Sequence, residues 1–434
     1  MKNNFTLILI FAIAKLSFGR GPIINEWILN TTGKTASYWE NVGPNQFEFH
    51  TTNVLADVLE VCYNNDYVYI ESEGMTNDMG QFMNPGAPSA QGFKFKFSRN
   101  PSAGSGNEEV QEVASIGTLV NGIAIFGLGD GNSYNASTQE NSPMGDGVWV
   151  GSAYYTEGFT LDTAFTAHPQ AAGVYHSHAT PLRLYSDPSN MHSPIVGFAH
   201  DGYPIYGPFG FSSAMDNTSG ISRMTSSYQL RNITTRTTLP DGSNANPPGP
   251  AVTNGGDFDL GSYIQDYEYI NGLGTLDEHN GRFCVTPQYP NGTYAYFVTV
   301  DASGTPQFPF YIGTTYYGTP IEENVLGNAT IPSNGLTCLS LTTGMDNINT
   351  QIENLSVAIN PNPIKDFTVL SFPEEAYGNF DIKIIDGTGK LVYAKYMVDS
   401  NRSAKIDLSD LKSGVYFVRV IGYNQLFTSR VIKE

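Results

Sequence analysis

The sequence predicts an all-β protein, a large β-rich unit followed by a small C-terminal β-sandwich, and three observations carry that expectation. Short bursts such as Phe47-Glu48-Phe49-His50 and Phe93-Lys94-Phe95-Lys96-Phe97 alternate apolar and polar residues, which turns one face of each toward a core. Gly (45) and Pro (25) are frequent and aromatics reach 12%, whereas charged residues are only 15%, a composition suited to short strands joined by many turns. Between Ile23 and Phe97 no stretch sustains helical periodicity, and breaks such as Asn84-Pro85-Gly86-Ala87-Pro88 separate the bursts.

The elements follow in order. Met1-Lys2-Asn3-Asn4 precedes an apolar run from Phe5 to Ile13, and Ser17-Phe18-Gly19 offers small residues for a signal peptidase, so residues 1–19 read as a signal peptide cleaved after Gly19. The run falls far short of the roughly 20 residues that cross a bilayer. Lys15 also interrupts it, and no later stretch is long enough, so the mature chain is expected to have no transmembrane segment. Residues 20–117 carry the first strand-like bursts. Residues 118–313, dense in Gly, Tyr and His, form the core of the large unit, with a loop-like insert at 212–254 rich in Ser, Thr, Asn and Pro. Residues 314–353 turn to Thr, Asn and Ser and read as a linker. Residues 354–434 alternate again, with turn signals at regular spacing, as a sandwich of about seven strands of immunoglobulin-like kind.

The net charge is −19, and from Asn354 onward ten Lys or Arg nearly balance nine Asp or Glu, so the acidic excess lies upstream. A basic footprint for nucleic acid is absent. The sequence also lacks a Gly-x-Ser-x-Gly nucleophile elbow and a phosphate-cradling loop. Cys62, Cys284 and Cys338 leave at least one thiol over. Cys62 with Cys284 is the expected disulfide, because both lie in strand-like segments and Cys338 lies in the linker.

The sharpest chemical feature is Gly173-Val174-Tyr175-His176-Ser177-His178. On a strand, His176 and His178 share a face and can converge on one ion, while Ser177 faces away. His168, before Pro169, and His200, in a turn with Asp201, are the further candidate ligands. Such a set suits zinc or copper with a position left for water, and imidazoles also serve as acid–base groups without metal. Tyr175, Asp201, Arg282 and Asp277 are candidate pocket residues, with Arg282 able to meet an anion or to pair with Asp277 or Glu278. Asp130-Gly131-Asn132, Asp257-Phe258-Asp259, and Asp266 with Glu268 offer the oxygens that calcium prefers, although none makes an EF-hand loop. Gly-Val-Tyr-His-Ser-His is similar to one of the four copper motifs of multicopper oxidases. The other three are missing, which excludes that enzyme while leaving copper as a candidate metal.

Two resemblances extend this reading. Residues 354–434, with Asn360-Pro361-Asn362-Pro363, Asp386-Gly387-Thr388-Gly389, Asp407-Leu408-Ser409 and Gly414-Val415-Tyr416, resemble the C-terminal sorting domain (type A) of type IX secretion cargo. That resemblance implies a partner, the type IX secretion machinery, and a place outside the cell or on the outer surface of a Gram-negative bacterium. Tyr175-His176-Ser177-His178 resembles the motif of the YHYH domain. The likeness continues through Asn121-Gly122-Ile123-Ala124-Ile125-Phe126, His168-Pro169, Gly197-Phe198-Ala199-His200-Asp201-Gly202-Tyr203-Pro204 and Asp277-Glu278-His279-Asn280-Gly281-Arg282-Phe283-Cys284. Ser177 replaces the second Tyr of the motif, and His279 stands where many relatives carry Cys, which removes a local partner for Cys284. The resemblance implies a fold and a site but no reaction. The expectation is therefore an exported protein that binds copper or zinc through its His-x-His pair. Its alternative is a metal-free extracellular binding or structural module engaging a polymer or matrix component.

Overall fold

The computed structural model describes residues 21–340 save 44–45, 78, 85, 107 and 186–189, and residues 353–434 save 355–356, 373–379, 387–390, 398–402, 410 and 423–424. The expected signal peptide lies outside the described residues. The protein is all-β, and its two units are Met1–Leu341 and Thr342–Glu434. Among the described residues no helix is long and apolar enough to cross a membrane.

In the first unit the alternating bursts form a four-stranded antiparallel sheet in the order Thr337–Ser340, Val58–Tyr63, Tyr67–Ser72, Phe93–Ser98. Its inward face places Val58, Val68, Ile70, Phe95 and Phe97 at zero exposure. Burying each such side chain contributes roughly 1.5–3 kcal/mol. They pack on Val120, Ala124, Phe198, Tyr206 and Phe297 of a larger sheet. That sheet has eight strands in the order Ala167–Pro169, Tyr175–Ser177, Ala124–Phe126, Ser115–Leu119, Ile195–Ala199, Pro204–Tyr206, Thr293–Phe297, Gly281–Cys284. Its other face meets a second cluster that includes Met75, Phe82, Phe165, Tyr175, Tyr296 and Phe310. With both faces covered, Ser115–Leu119 and Ile195–Ala199 are buried at every residue and show no polar side.

Three expectations change. The segment expected as a linker at 314–353 packs into the first unit as far as it is described, to residue 340: Tyr316 and Ala329 are buried, and Asn324 exchanges hydrogen bonds with the Lys96 backbone. Polar composition there reflects turns that bond to neighbours, not a free tether. The disulfide joins Cys62 to Cys338, and Cys284 is a buried free thiol. The reason is register: Thr337–Ser340 returns to pair with Val58–Tyr63 and sets Cys338 opposite Cys62, with Cα atoms 4.0 Å apart, whereas Cys284 faces Thr293 on another sheet. The insert at 212–254 also has an anchor. Arg236 is buried and forms a bidentate pair with Asp266 through Nε and Nη2 at 2.8 and 2.7 Å, while Nη1 donates to the carbonyls of Pro250 and Phe258 and Nη2 donates also to that of Asp259.

In the second unit a five-stranded sheet (Glu353–Asn354, Gln425–Lys433, Gly414–Gly422, Phe380–Asp386, Leu391–Met397) and a three-stranded one (Ala358–Asn360, Phe367–Ser371, Ser403–Asp407) enclose Leu370, Ile382, Ile384, Ile406, Val418 and Val420. Ser403–Asp407 alternates exposed and buried residues, the pattern expected from its sequence.

The disulfide assignment sets an expected result for the full secreted chain. Denatured without reductant it takes up one alkylating group, at Cys284, and three after reduction. A Cys62–Cys284 peptide in a non-reducing digest would contradict the pairing. Replacing Cys338 by Ser should lower stability by about 2–4 kcal/mol in urea unfolding.

Candidate functional site

At one edge of the eight-stranded sheet, Ala167–Pro169 and Tyr175–Ser177 form a hairpin. Gly173 turns it at φ +78°, where a side chain would clash with Ser89. The antiparallel register sets His168 directly opposite His176 and therefore on the same face, with His178 two residues further along. Tyr175 and Ser177 point to the opposite face. Tyr175 donates to the buried Asp162 carboxylate, and the Ser177 hydroxyl meets Phe165 O at 2.6 Å and Tyr311 Oη at 2.7 Å. These bonds hold the hairpin from behind.

On the front, His168, His176 and His178 are all buried, with ligand atoms within 4.8 Å of one another. Phe126 stacks on His176 at 4.0 Å and meets His178 edge-on. Two of the rings are oriented through their Nδ1 side. His176 Nδ1 lies 3.0 Å from the Val174 carbonyl, an obligate acceptor, so this nitrogen carries the hydrogen. His168 Nδ1 lies 3.0 Å from Asn84 Oδ1 and 2.8 Å from Thr160 Oγ1. Asn84 Nδ2 donates to the Pro169 carbonyl and Thr160 Oγ1 donates to the Glu157 carbonyl, which leaves both partner oxygens free to accept from His168. His178 Nδ1 is buried beside the Gly127 backbone without a well-formed hydrogen bond. With hydrogens at Nδ1, the Nε2 lone pairs of His168 and His176 face inward. His176 Nε2 and His178 Nε2 stand 2.9 Å apart.

Glu157, at the end of the Ala153–Glu157 helix, completes the cluster. Its Oε2 is 3.6 Å from His168 Nε2 and 3.8 Å from His178 Nε2. Burial, and then the charge of Asp130, push the Glu157 carboxyl up to about 7. Burial pushes His168 down to about 4 and His178 to about 3, the latter helped by His168, and it holds His176 well below the usual imidazole range. At neutral pH the cluster therefore presents three uncharged imidazoles, the state in which histidine ligates metal. Without metal, a single Nε2–H on His178 would bond to His176, at the cost of a buried Nδ1 lone pair.

The other candidates lie elsewhere. His200 does not join the three: its Nε2 meets Ser115 Oγ at 3.2 Å and its ring packs on Phe95. The two-residue rule that aligns His176 with His178 says nothing about a residue on a different strand end. Asp201 accepts from Tyr296 Oη at 2.5 Å, Gly318 N at 2.9 Å and Tyr203 N at 3.1 Å, a framework role. Asp277 accepts from Tyr294 Oη, and Arg282 donates to the Phe211 carbonyl at 2.6 Å while lying over Phe297. Asp266 is taken by Arg236. Asp130, Asp259 and Glu268 accept from Asn132 N, Gly255 N and Gln229 Nε2. Glu157, Asn84 and Thr160 were not singled out by sequence. A one-turn helix carries no periodicity, and Asn84 reaches the site from a Pro-Gly-rich break far upstream.

An exported β-sheet protein with a buried histidine cluster at a sheet edge is the class these features define. Residues 94–309 match the family model described as YHYH protein, and residues 358–434 match the Secretion system C-terminal sorting domain. The chain is a YHYH-domain protein with a type IX sorting domain at its C-terminal end, which marks it for secretion or the cell surface. No curated protein matches the chain.

His200 supplies a pH test that is separate from the cluster. Burial pushes it down to about 3. The unfolded chain takes up this proton near pH 6.5 and the folded chain does not, so stability falls as pH drops from about 6.5 toward 3. The slope is about 1.4 kcal/mol per pH unit for this one group. In chelator-treated protein, the loss of urea stability between pH 7 and 5 should be about 2 kcal/mol smaller in His200→Asn than in wild type. Equal losses would show that His200 titrates normally.

Proposed function

We propose that the first unit binds one transition-metal ion, zinc or copper, through Nε2 of His168, His176 and His178, with Glu157 as the fourth group, on a protein exported to the outer surface or surroundings of a Gram-negative cell. The observation that carries the reading is the convergence of three Nε2 atoms, two of them on rings, those of His168 and His176, that are fixed by acceptors at Nδ1. This is the arrangement in which outer partners set the tautomer of metal-binding histidines. Two nitrogens at about 2.0–2.1 Å from a tetrahedral ion stand roughly 3.3 Å apart, so the 2.9 Å pair needs to open by only a few tenths of an ångström. Three neutral imidazoles and one carboxylate suit zinc or copper better than calcium, which takes oxygen ligands.

Such an ion would supply Lewis acidity, with the Glu157 carboxylate offsetting part of its charge. Asn84 and Thr160 hold His168 in the required tautomer, and Phe126 walls the ion from solvent. The proposed boundaries of the unit are those of the first compact body, with residues 353–434 serving export.

Elemental analysis of mature protein, purified without chelator or metal-affinity resin and then dialysed, should find about one zinc or copper per chain. His176→Ala with His178→Ala should abolish uptake while circular dichroism is unchanged, and Asn84→Ala should weaken affinity roughly 10- to 100-fold. One equivalent retained by the double variant would remove these ligands from consideration. No uptake by wild type, even after reconstitution, would favour the metal-free binding module.

A further inference from the structure

The first unit also holds a cleft of about 740 Å³ away from the histidine ligands. Its volume lies within the range of small-molecule sites. One wall is aromatic: Tyr267 and Phe308 lie parallel, with centroids 4.0 Å apart and an interplanar angle of 3°, and Tyr228 meets Phe308 edge-on at 5.4 Å. The Tyr228 hydroxyl donates to the Glu278 carbonyl at 2.7 Å, which fixes the wall in place. Around this wall stand four carboxylates, Glu109, Glu112, Asp241 and Glu278, and among the described residues lining the cleft there is no Lys or Arg.

These features select a ligand class. An anion meets four carboxylates in a chain of net charge −19 and is repelled. A neutral sugar can lie on the rings but leaves the carboxylates uncompensated. A bare metal ion gains nothing from the aromatic ledge. An organic ammonium is served by both surfaces, since ring faces attract cations and carboxylates accept their hydrogens. Methylene segments between two ammonium groups match the part of the Tyr267–Phe308 stack that lines the cleft, the facing ring surfaces being covered by each other, and the volume exceeds what one ammonium fills. We propose that this cleft binds a small linear polyamine through the carboxylates of Glu109 and Glu112 and the rings of Tyr267 and Phe308.

The test is calorimetric titration of the full mature chain with spermidine, with cellobiose as a neutral probe of similar bulk. One saturable site is expected, weakened by added salt and absent for cellobiose. Glu109→Gln with Glu112→Gln should weaken spermidine at least tenfold, and Tyr267→Leu should weaken it several-fold. Because both glutamates are exposed, the double variant should keep its fold and its metal content, so a failure here is distinct from a failure of the metal reading. Glu48→Gln with Glu140→Gln, outside the cleft, removes the same charge and should leave affinity unchanged. Absence of saturable binding, an equal loss in this control pair, or cellobiose binding as tightly as spermidine would each overturn the proposal.

Discussion

The eight-stranded sheet is covered on both faces, and that constraint governs where polar chemistry can stand. A polar side chain in such a sheet must find its partner inside the protein or lose the full cost of desolvation. Ser177 answers with the Phe165 carbonyl and Tyr311, and Asp201 with three donors. His168 and His176 satisfy one nitrogen each in the same way, through Asn84, Thr160 and Val174. What remains is the group of Nε2 atoms at the hairpin edge. Their inward lone pairs, next to a half-buried carboxyl, form a place among the described residues of this sheet where polar groups converge without matching donors.

How much of this was legible depends on the range of the interaction. Local alternation revealed strands: the burst at Phe93–Phe97 is read correctly, as the strand Phe93–Ser98, because period two is a property of a few consecutive residues. The shared face of His176 and His178 follows from the same period. Their opposition to His168 follows only from the hairpin register, for which the sequence signal was Gly173 between two short apolar segments. Glu157 was illegible because its position depends on how a five-residue helix docks, and nothing in Ala-Tyr-Tyr-Thr-Glu encodes that.

The missed features share a cause. Residues 314–340 look like a tether by composition, yet Gly318 donates to Asp201, Tyr317 donates to Tyr296, and Thr337–Ser340 adds a strand to a sheet formed by residues more than two hundred positions earlier. The Cys62–Cys338 bond depends on that return. The expectation of a Cys62–Cys284 bond rests on both lying in strand-like segments, but lying on strands does not by itself bring two thiols to opposite positions of a ladder. Arg236 shows the same principle in the insert, where one buried guanidinium gathers several loop carbonyls and makes an apparent loop part of the packed unit.

The histidine cluster and the acidic cleft rest on one stretch of chain. Phe308 forms the cleft wall. Phe310 packs at 4.9 Å on Tyr154, in the same short helix that carries Glu157, and Tyr311 bonds to Ser177 behind the histidine hairpin. Packed interiors transmit displacement instead of absorbing it. A change at Phe308 therefore moves the support of both sites, and its effect on metal affinity would say nothing about whether Phe308 touches the ion. Tyr267 stands outside that stretch, on the strand Tyr267–Tyr269, and its ring stacks on Phe308, so its replacement disturbs the cleft wall first. The separation of the two sites is thus a matter of which residue is altered: the aromatic ledge can be probed from the Tyr267 side, and the clustered histidines from the hairpin side, without passing through the segment they share.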